Sequence, residues 1–491
     1  MGKSQERHAR GDRTRTPQMA SSFGSGVSKG RMAQAARHGP APPTAFARSL
    51  GVTGVLFLSL SVATPASSLF VFVPDMLAVA GTGAVWAFAI AALVCVATAY
   101  IYAELSSAWP VAGGEYVMVA QTLGPFAGFV MLGVNVVNNL IFLPVAGLGI
   151  SDVLSVVVPG LPHLPVALAV VGGCTVIGLF DIRLNAAVTG CFLLVEVVTL
   201  AVVAWLGFGD AARSPVDFLT HPVAGPMLVP AAASSIGVAT SIAIFALNGY
   251  GSAVYFGEEM LEAPARIARA IMLALVLTLA LEGLPLVAAL MGQGDLGAIF
   301  ADANPFGTLV ARLGGAALGK WVAVGVALAI VNALIAWVLA CARFFYGTAR
   351  DRCWGAPLDG WLVRIHPRLR SPWAATLLIG AIGMALCFVD KAALEVWSGT
   401  GLIAIYAGIA VAAMVGRRRG SSAHAPYRMP LYPLAPLVTI AALFYVSWTN
   451  WLDTETGRPA LYATALQIVV AAAYYLLVLR RRGAWTVHLP A

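Results

Sequence analysis

The chain has 491 residues, 59% of them hydrophobic and only 11% charged, with a formal net charge of +8. Soluble domains carry roughly 25% charged residues, so a soluble globular protein is excluded. The positive balance does not point to nucleic acid either, because the basic residues fall in short loops between apolar runs, and no nucleic-acid module is legible.

Residues 1–46 are rich in Arg, Ser, Gly, Pro and Gln and hold no apolar stretch. That composition predicts a disordered basic cytoplasmic tail, not a cleaved signal peptide. Apolar runs of about 20 residues follow, the length that crosses hydrocarbon as a helix. The alternating segments of about 10 residues that mark a membrane β-barrel do not occur. Spans are predicted at 50–73, 79–103, 124–150, 162–180, 184–208, 234–257, 267–291, 321–347, 372–389, 393–415, 432–450 and 460–479. The expected fold is an all-α membrane protein of about twelve transmembrane helices, followed by a tail at 481–491.

With these spans the loops alternate sides. Of the 30 lysines and arginines, 25 fall on the side of the N-terminus; the others are Arg213, Arg312, Lys320, Lys391 and Arg458. The asymmetry predicts a multi-pass protein of the cell (inner) membrane with both termini cytoplasmic. The six cysteines include no close pair, and all read as small packing residues, not as disulfides or metal ligands.

Two spans carry helix breakers in mid-membrane. The first contains Ser61-Val62-Ala63-Thr64-Pro65-Ala66-Ser67-Ser68, where proline deletes a backbone donor and clashes with the preceding turn. The sixth contains Phe245-Ala246-Leu247-Asn248-Gly249-Tyr250-Gly251-Ser252, where the glycines weaken the helix. Each alone reads equally well as a kink. As the first helices of two successive five-helix blocks, they mark the midplane site of an inverted-repeat transporter.

Motifs between the spans resemble the amino acid–polyamine–organocation permease superfamily, over residues from about 50 to 480. The most specific are Ala103-Glu104-Leu105 followed by Pro110-Val111-Ala112-Gly113-Gly114-Glu115-Tyr116, and Gly257-Glu258-Glu259 leading to Pro264. Weaker matches are Ala349-Arg350-Asp351 and Pro426-Tyr427-Arg428-Met429-Pro430. The resemblance implies a LeuT-like five-plus-five inverted repeat, 47–208 and 234–415, with two further helices at 432–480 and alternating access around a midplane site. It implies that Ala66-Ser67-Ser68 lie where relatives bind a substrate carboxylate. It also implies that Phe245 and Asn248-Gly249-Tyr250 lie at the unwound stretch that receives the substrate amine, with an aromatic gate.

Two glutamates, Glu196 and Glu282, fall near the middle of spans 5 and 7. Ionisable groups in mid-membrane are expensive and are functional candidates by default. By the resemblance, Glu196 stands where many proton-coupled relatives carry a lysine. Both are coupling candidates, with a proton or sodium as the coupling ion. Further polar candidates, favoured as helix-packing groups, are Asn135, Asn138, Asn139, Asn332, Trp337 and Tyr406. Glu104 and Glu115 are expected to pair with loop arginines. No phosphate loop, nucleophile triad or metal-ligand cluster is legible, so no cofactor and no enzyme activity are expected. The expected function is secondary transport of an amino acid or related amine. A polyamine or organic-cation transporter, or a sensor or channel on the same fold, stays open as an alternative.

Overall fold

The computed structural model describes residue 46, residues 48–483 other than 155, 156, 159, 181, 293, 303, 453, 455 and 456, and residues 485 and 487. The tail predicted over 1–46 lies outside the described residues except at Phe46, and part of the tail predicted over 481–491 lies outside them as well.

The protein is an all-α membrane protein. Its longer helices are α1 (Val52–Ala63), α2 (Val73–Ala80), α3 (Ala84–Ala108), α4 (Glu115–Leu123), α5 (Pro125–Leu154), α6 (His163–Gly178) and α7 (Ile182–Gly209). They continue with α8 (Ala233–Ala246), α9 (Ala263–Met291), α10 (Pro305–Arg350), α11 (Trp373–Leu386), α12 (Lys391–Arg419), α13 (Leu434–Leu452) and α14 (Gly457–Tyr474). Between α7 and α8, two-residue strands pair antiparallel, Val223 with Pro230 and Ala224 with Val229.

Among the described residues, nine helical stretches are long and apolar enough to cross a membrane. The first, Val52–Ala108, runs through the first two predicted spans. The fourth and ninth predicted spans are occupied by the shorter apolar helices α6 and α11. The boundary between the first two spans differs from expectation. The chain turns at Gly81–Gly83, later than the predicted gap, because α2 carries the helix on through Ala80. The eighth span also differs: α10 begins at Pro305 and changes direction at Gly315 (φ 85°, ψ 162°) before its long crossing. Its most apolar window is 83% buried, which makes it the central post of the bundle.

Water does not drive helices together inside a bilayer, so close backbone approach and polar contacts decide the packing. At Gly207 a Cβ would sit 2.6 Å from the Ala288 backbone, so α7 and α9 cross there only because the side chain is missing.

The sequence motifs converge on one side of the bundle. Arg350 gives Nη1 to both oxygens of Glu258 (2.7 and 2.8 Å), and Glu258 also accepts from the Ala112 amide (2.9 Å). Tyr116 donates to Asp351 Oδ2 (2.8 Å). Glu104, in the last turns of α3, pairs with Arg417 at the end of α12, whose Nε lies 2.8 Å from Oε1. Arg343, counted above among the loop arginines, lies inside α10. It is 1% exposed, pairs with Glu259, and sits over the rings of Phe46 and Phe256.

Candidate functional site

The first break is built by Thr64 and Pro65. α1 stops at Ala63, and Thr64 takes a left-handed backbone (φ 41°, ψ 68°). Pro65 then opens a short turn over Pro65–Ser67, a widened turn over Ser68–Phe72, and α2. Proline has no N–H for the Ser61 carbonyl. The next donor, the Ala66 N–H, goes to Glu196 Oε1 at 2.8 Å, so the Val62 carbonyl also loses its helical partner.

The second break follows Ala246. Gly249 has φ 122° and ψ −28°, a conformation open to glycine and strained for other residues. The chain then continues as a tighter helix over Tyr250–Glu259. The two breaks touch. A Cβ on Gly249 would lie 2.4 Å from Ala63 Cα, and the Ser68 hydroxyl donates to the Ala246 carbonyl at 2.9 Å. Gly249 is therefore required by the other helix, besides any approach to a ligand.

Between the breaks lies a small cavity of about 30 Å³. Of the sequence candidates, Ser68, Asn138, Phe245, Asn248, Gly249 and Trp337 line it. Phe72 and Phe245 meet edge to face (centroids 4.9 Å), and Phe142 packs on Trp337 (5.1 Å). Asn248 Oδ1 accepts from the Tyr406 hydroxyl (2.7 Å), and Asn138 Oδ1 accepts from Ser398 (3.1 Å). Trp337 is oriented by its Nε1–H to the Asn139 carbonyl (2.8 Å).

The other candidates lie off this wall. Ala66 and Ser67 are buried beside the first break. Tyr250 is fully buried and faces Tyr102, Tyr406 and Cys95. Glu196 is fully buried on α7 behind the first break, tied to it through Ala66. Glu282, fully buried on α9, has Ser68 and Glu196 as its electrostatic neighbours. Wall residues that sequence reading passed over are Phe72, Phe142 and Ser398. Phe72 and Phe142 carried a signal, each standing four residues from a candidate, Ser68 and Asn138.

Glu115 corrects an expectation. Among the described residues it pairs with no arginine. Its Oε1 accepts from the Tyr102 hydroxyl (2.9 Å), and its Oε2 from Tyr255 (2.8 Å) and Asn135 (2.9 Å). The loop turns it inward at the start of α4, away from the arginines. Burial pushes its carboxyl above the usual carboxylate range, against the pull of its donors. Tyr102 also meets Tyr406 edge to face (6.1 Å), so aromatic contacts run from the cavity-lining Asn248 to this carboxyl.

An arrangement of two interrupted helices meeting across a small cavity can hold a small zwitterion with backbone groups, without a metal or a nucleophile. Among the described residues no group of three or more His, Cys, Asp or Glu is placed to hold a metal ion. The sequence matches the family model described as amino acid permease over residues 50–473. It is 30% identical over 344 residues to an uncharacterized transporter of Mycobacterium tuberculosis, covering 70% of this chain and 74% of that protein. It is 26% identical to a branched-chain amino acid permease of Lactococcus lactis (87% of this chain, 94% of the relative). It is 22% identical to a serine/threonine exchanger of Bacillus subtilis (82% and 91%).

Proposed function

The chain belongs to the amino acid permease family, and from that premise we propose that it is a secondary active transporter of amino acids, working by alternating access and driven by protons. The family and the relatives are transporters, not enzymes, and two relatives are named for amino acid substrates. The observation that carries the reading is the meeting of the two breaks, Gly249 on Ala63 and Ser68 on Ala246, at the wall of one cavity. Carbonyls left without helical partners attract the ammonium of an amino acid, and the N–H end of the resumed helix attracts its carboxylate. In this reading, 47–208 and 234–415 are two repeats that rock about the cavity, and 432–480 adds two flanking helices.

Glu196 is the proposed proton carrier, with Glu282 beside it. An ionised carboxylate costs several kcal/mol in a low-dielectric interior unless paired, and a proton removes that cost. Because Glu196 holds the Ala66 N–H, its charge state bears directly on the shape of the first break. The test is counterflow and pH-driven uptake in proteoliposomes. Glu196→Gln is expected to keep exchange down an existing substrate gradient and to lose accumulation driven by a pH gradient. Full pH-driven accumulation in that variant removes Glu196 as the coupling residue. Sodium-dependent accumulation that ignores pH overturns proton coupling altogether.

A further inference from the structure

We infer that a second cavity, at the arginine-rich end of the bundle, is a binding site for a phosphate-bearing anion. The inference does not depend on the transport reading above. This cavity measures about 390 Å³, against about 30 Å³ between the breaks, and ligand pockets begin at roughly 300 Å³. Its walls are Trp109, Pro110 and Val111, which follow α3, then Gln121 near the end of α4, and Ser421 and His424 in the link from α12 to α13.

The ends of α3, α4 and α12 contribute to this region, and the last carbonyls of a helix have no partner inside it. Side chains answer them. His424 Nε2 lies 3.0 Å from the Ala108 carbonyl oxygen, and since a carbonyl only accepts, that nitrogen carries the proton. The His424 ring meets Trp109 edge to face (centroids 5.4 Å). Arg419 gives Nη1 to the Thr122 carbonyl (3.4 Å), and Arg428 gives Nη2 to the Ala423 carbonyl (2.8 Å). Thr122 and Ala423 are the sequence neighbours of the wall residues Gln121 and His424, so two guanidiniums are placed at the rim. Each spends one of its five N–H donors in that bond and has others to offer a ligand. Ser421 Oγ, in the wall, is buried without a hydrogen-bond partner among the described residues.

The charge balance decides the sign of the ligand. No acidic residue occurs from Arg417 to Pro430, and from Ala108 to Leu123 the only one is Glu115, which is turned inward. Glu104 lies 4.0 Å from Arg428 but is held by Arg417 and by the Met429 amide. Arg418 and Arg419 are exposed. Guanidinium groups meet phosphate oxygens through paired N–H bonds. Two of them with a serine hydroxyl suit an anion with three or more acceptor oxygens better than a carboxylate with two, and Trp109 offers an apolar wall to the rest of the ligand. A basic pocket at this end of membrane helices also meets anionic headgroups. An occupant would brace the loop that Pro110 begins. A Cβ on Gly257 would lie 2.8 Å from the Pro110 oxygen, and the Ala112 amide holds Glu258, the partner of Arg350.

The full chain in detergent is titrated with inorganic pyrophosphate at constant ionic strength, with the melting temperature as readout, because a ligand of the folded state raises it. In parallel, lipid retained from a mixture of phosphatidylglycerol and phosphatidylcholine is counted by native mass spectrometry. A rise with pyrophosphate assigns a soluble phosphate; retention of phosphatidylglycerol over phosphatidylcholine without that rise assigns a lipid headgroup. In either arm Arg419→Gln combined with Arg428→Gln is expected to weaken binding at least about 10-fold. Arg480→Gln combined with Arg481→Gln, on the turn after α14, is expected to leave it unchanged. Gln121→Trp fills the cavity without touching a charge and is expected to abolish binding, which decides the matter should the arginine variant fail to fold. Binding of neither ligand, an equal loss in the Arg480 and Arg481 variant, or undiminished binding in Gln121→Trp overturns the inference.

Discussion

A buried carboxylate is informative through its partners, and Glu115 has three donors and no cation among the described contacts. Glu115→Leu would leave the Tyr102 and Tyr255 hydroxyls and the Asn135 amide without an acceptor. At about 1–3 kcal/mol for each stranded buried group, it is expected to lower the melting temperature markedly, whereas Glu115→Gln keeps an acceptor and loses less. The pH dependence has a definite sign. Burial raises the folded carboxyl above its ordinary value of 4.5, so the wild type has the full benefit below that value and loses it as pH climbs through the raised one. Melting curves across pH should therefore show the wild type losing ground to Glu115→Gln as pH rises; a constant difference would remove Glu115 as the source. That Glu115 is a glutamate at a loop-to-helix junction was legible in the sequence. That it turns away from the arginines was not, because Tyr255 lies 140 residues away, and pairing with loop arginines was the wrong expectation.

At the level of elements, both helix interruptions were legible because their causes are local. Pro65 has no N–H wherever it stands, and Gly249 is open to a backbone that other residues resist. The contact between the breaks was not legible, since nothing local says that Gly249 must lie against Ala63. It changes the reason why the glycine matters. Gly249→Ala adds a single methyl, yet at φ 122° and with Ala63 Cα 2.4 Å from the new Cβ neither break keeps its geometry. The expected result is loss of substrate counterflow, with the protein still present in membranes at a reduced melting temperature. Wild-type transport in Gly249→Ala would show that the close approach is dispensable. The eighth span shows a different limit. Its apolar centre was placed, but the helix begins at Pro305, before a kink at Gly315 that lies outside the apolar window.

For the whole molecule, the division of lysine and arginine is the strongest single statement about orientation, 25 against 5. A cysteine introduced near Arg418 should resist an impermeant thiol reagent added outside intact cells, and one near Arg458 should react; the reverse pattern would overturn the orientation. Leaving out Arg343 makes the division 24 against 5. Arg343 was tallied with the loops, but it is buried inside α10 against Glu259, and such a pair serves specificity and packing more than topology. Composition and apolar run length were enough for an all-helical membrane protein, for most of its spans and for the two breaks, because the bilayer demands about 20 apolar residues per crossing and a helix breaks where its own backbone cannot continue. Which side chains form the cavity was settled by packing. Asn138 meets Ser398 across 260 residues and Asn248 meets Tyr406 across 158, while Ala66, Ser67 and Tyr250, all within two residues of the wall in sequence, are not part of it. Periodicity tells which face of a helix is apolar, but only the crossing of helices distant in the chain selects the few residues on that face that a ligand will touch.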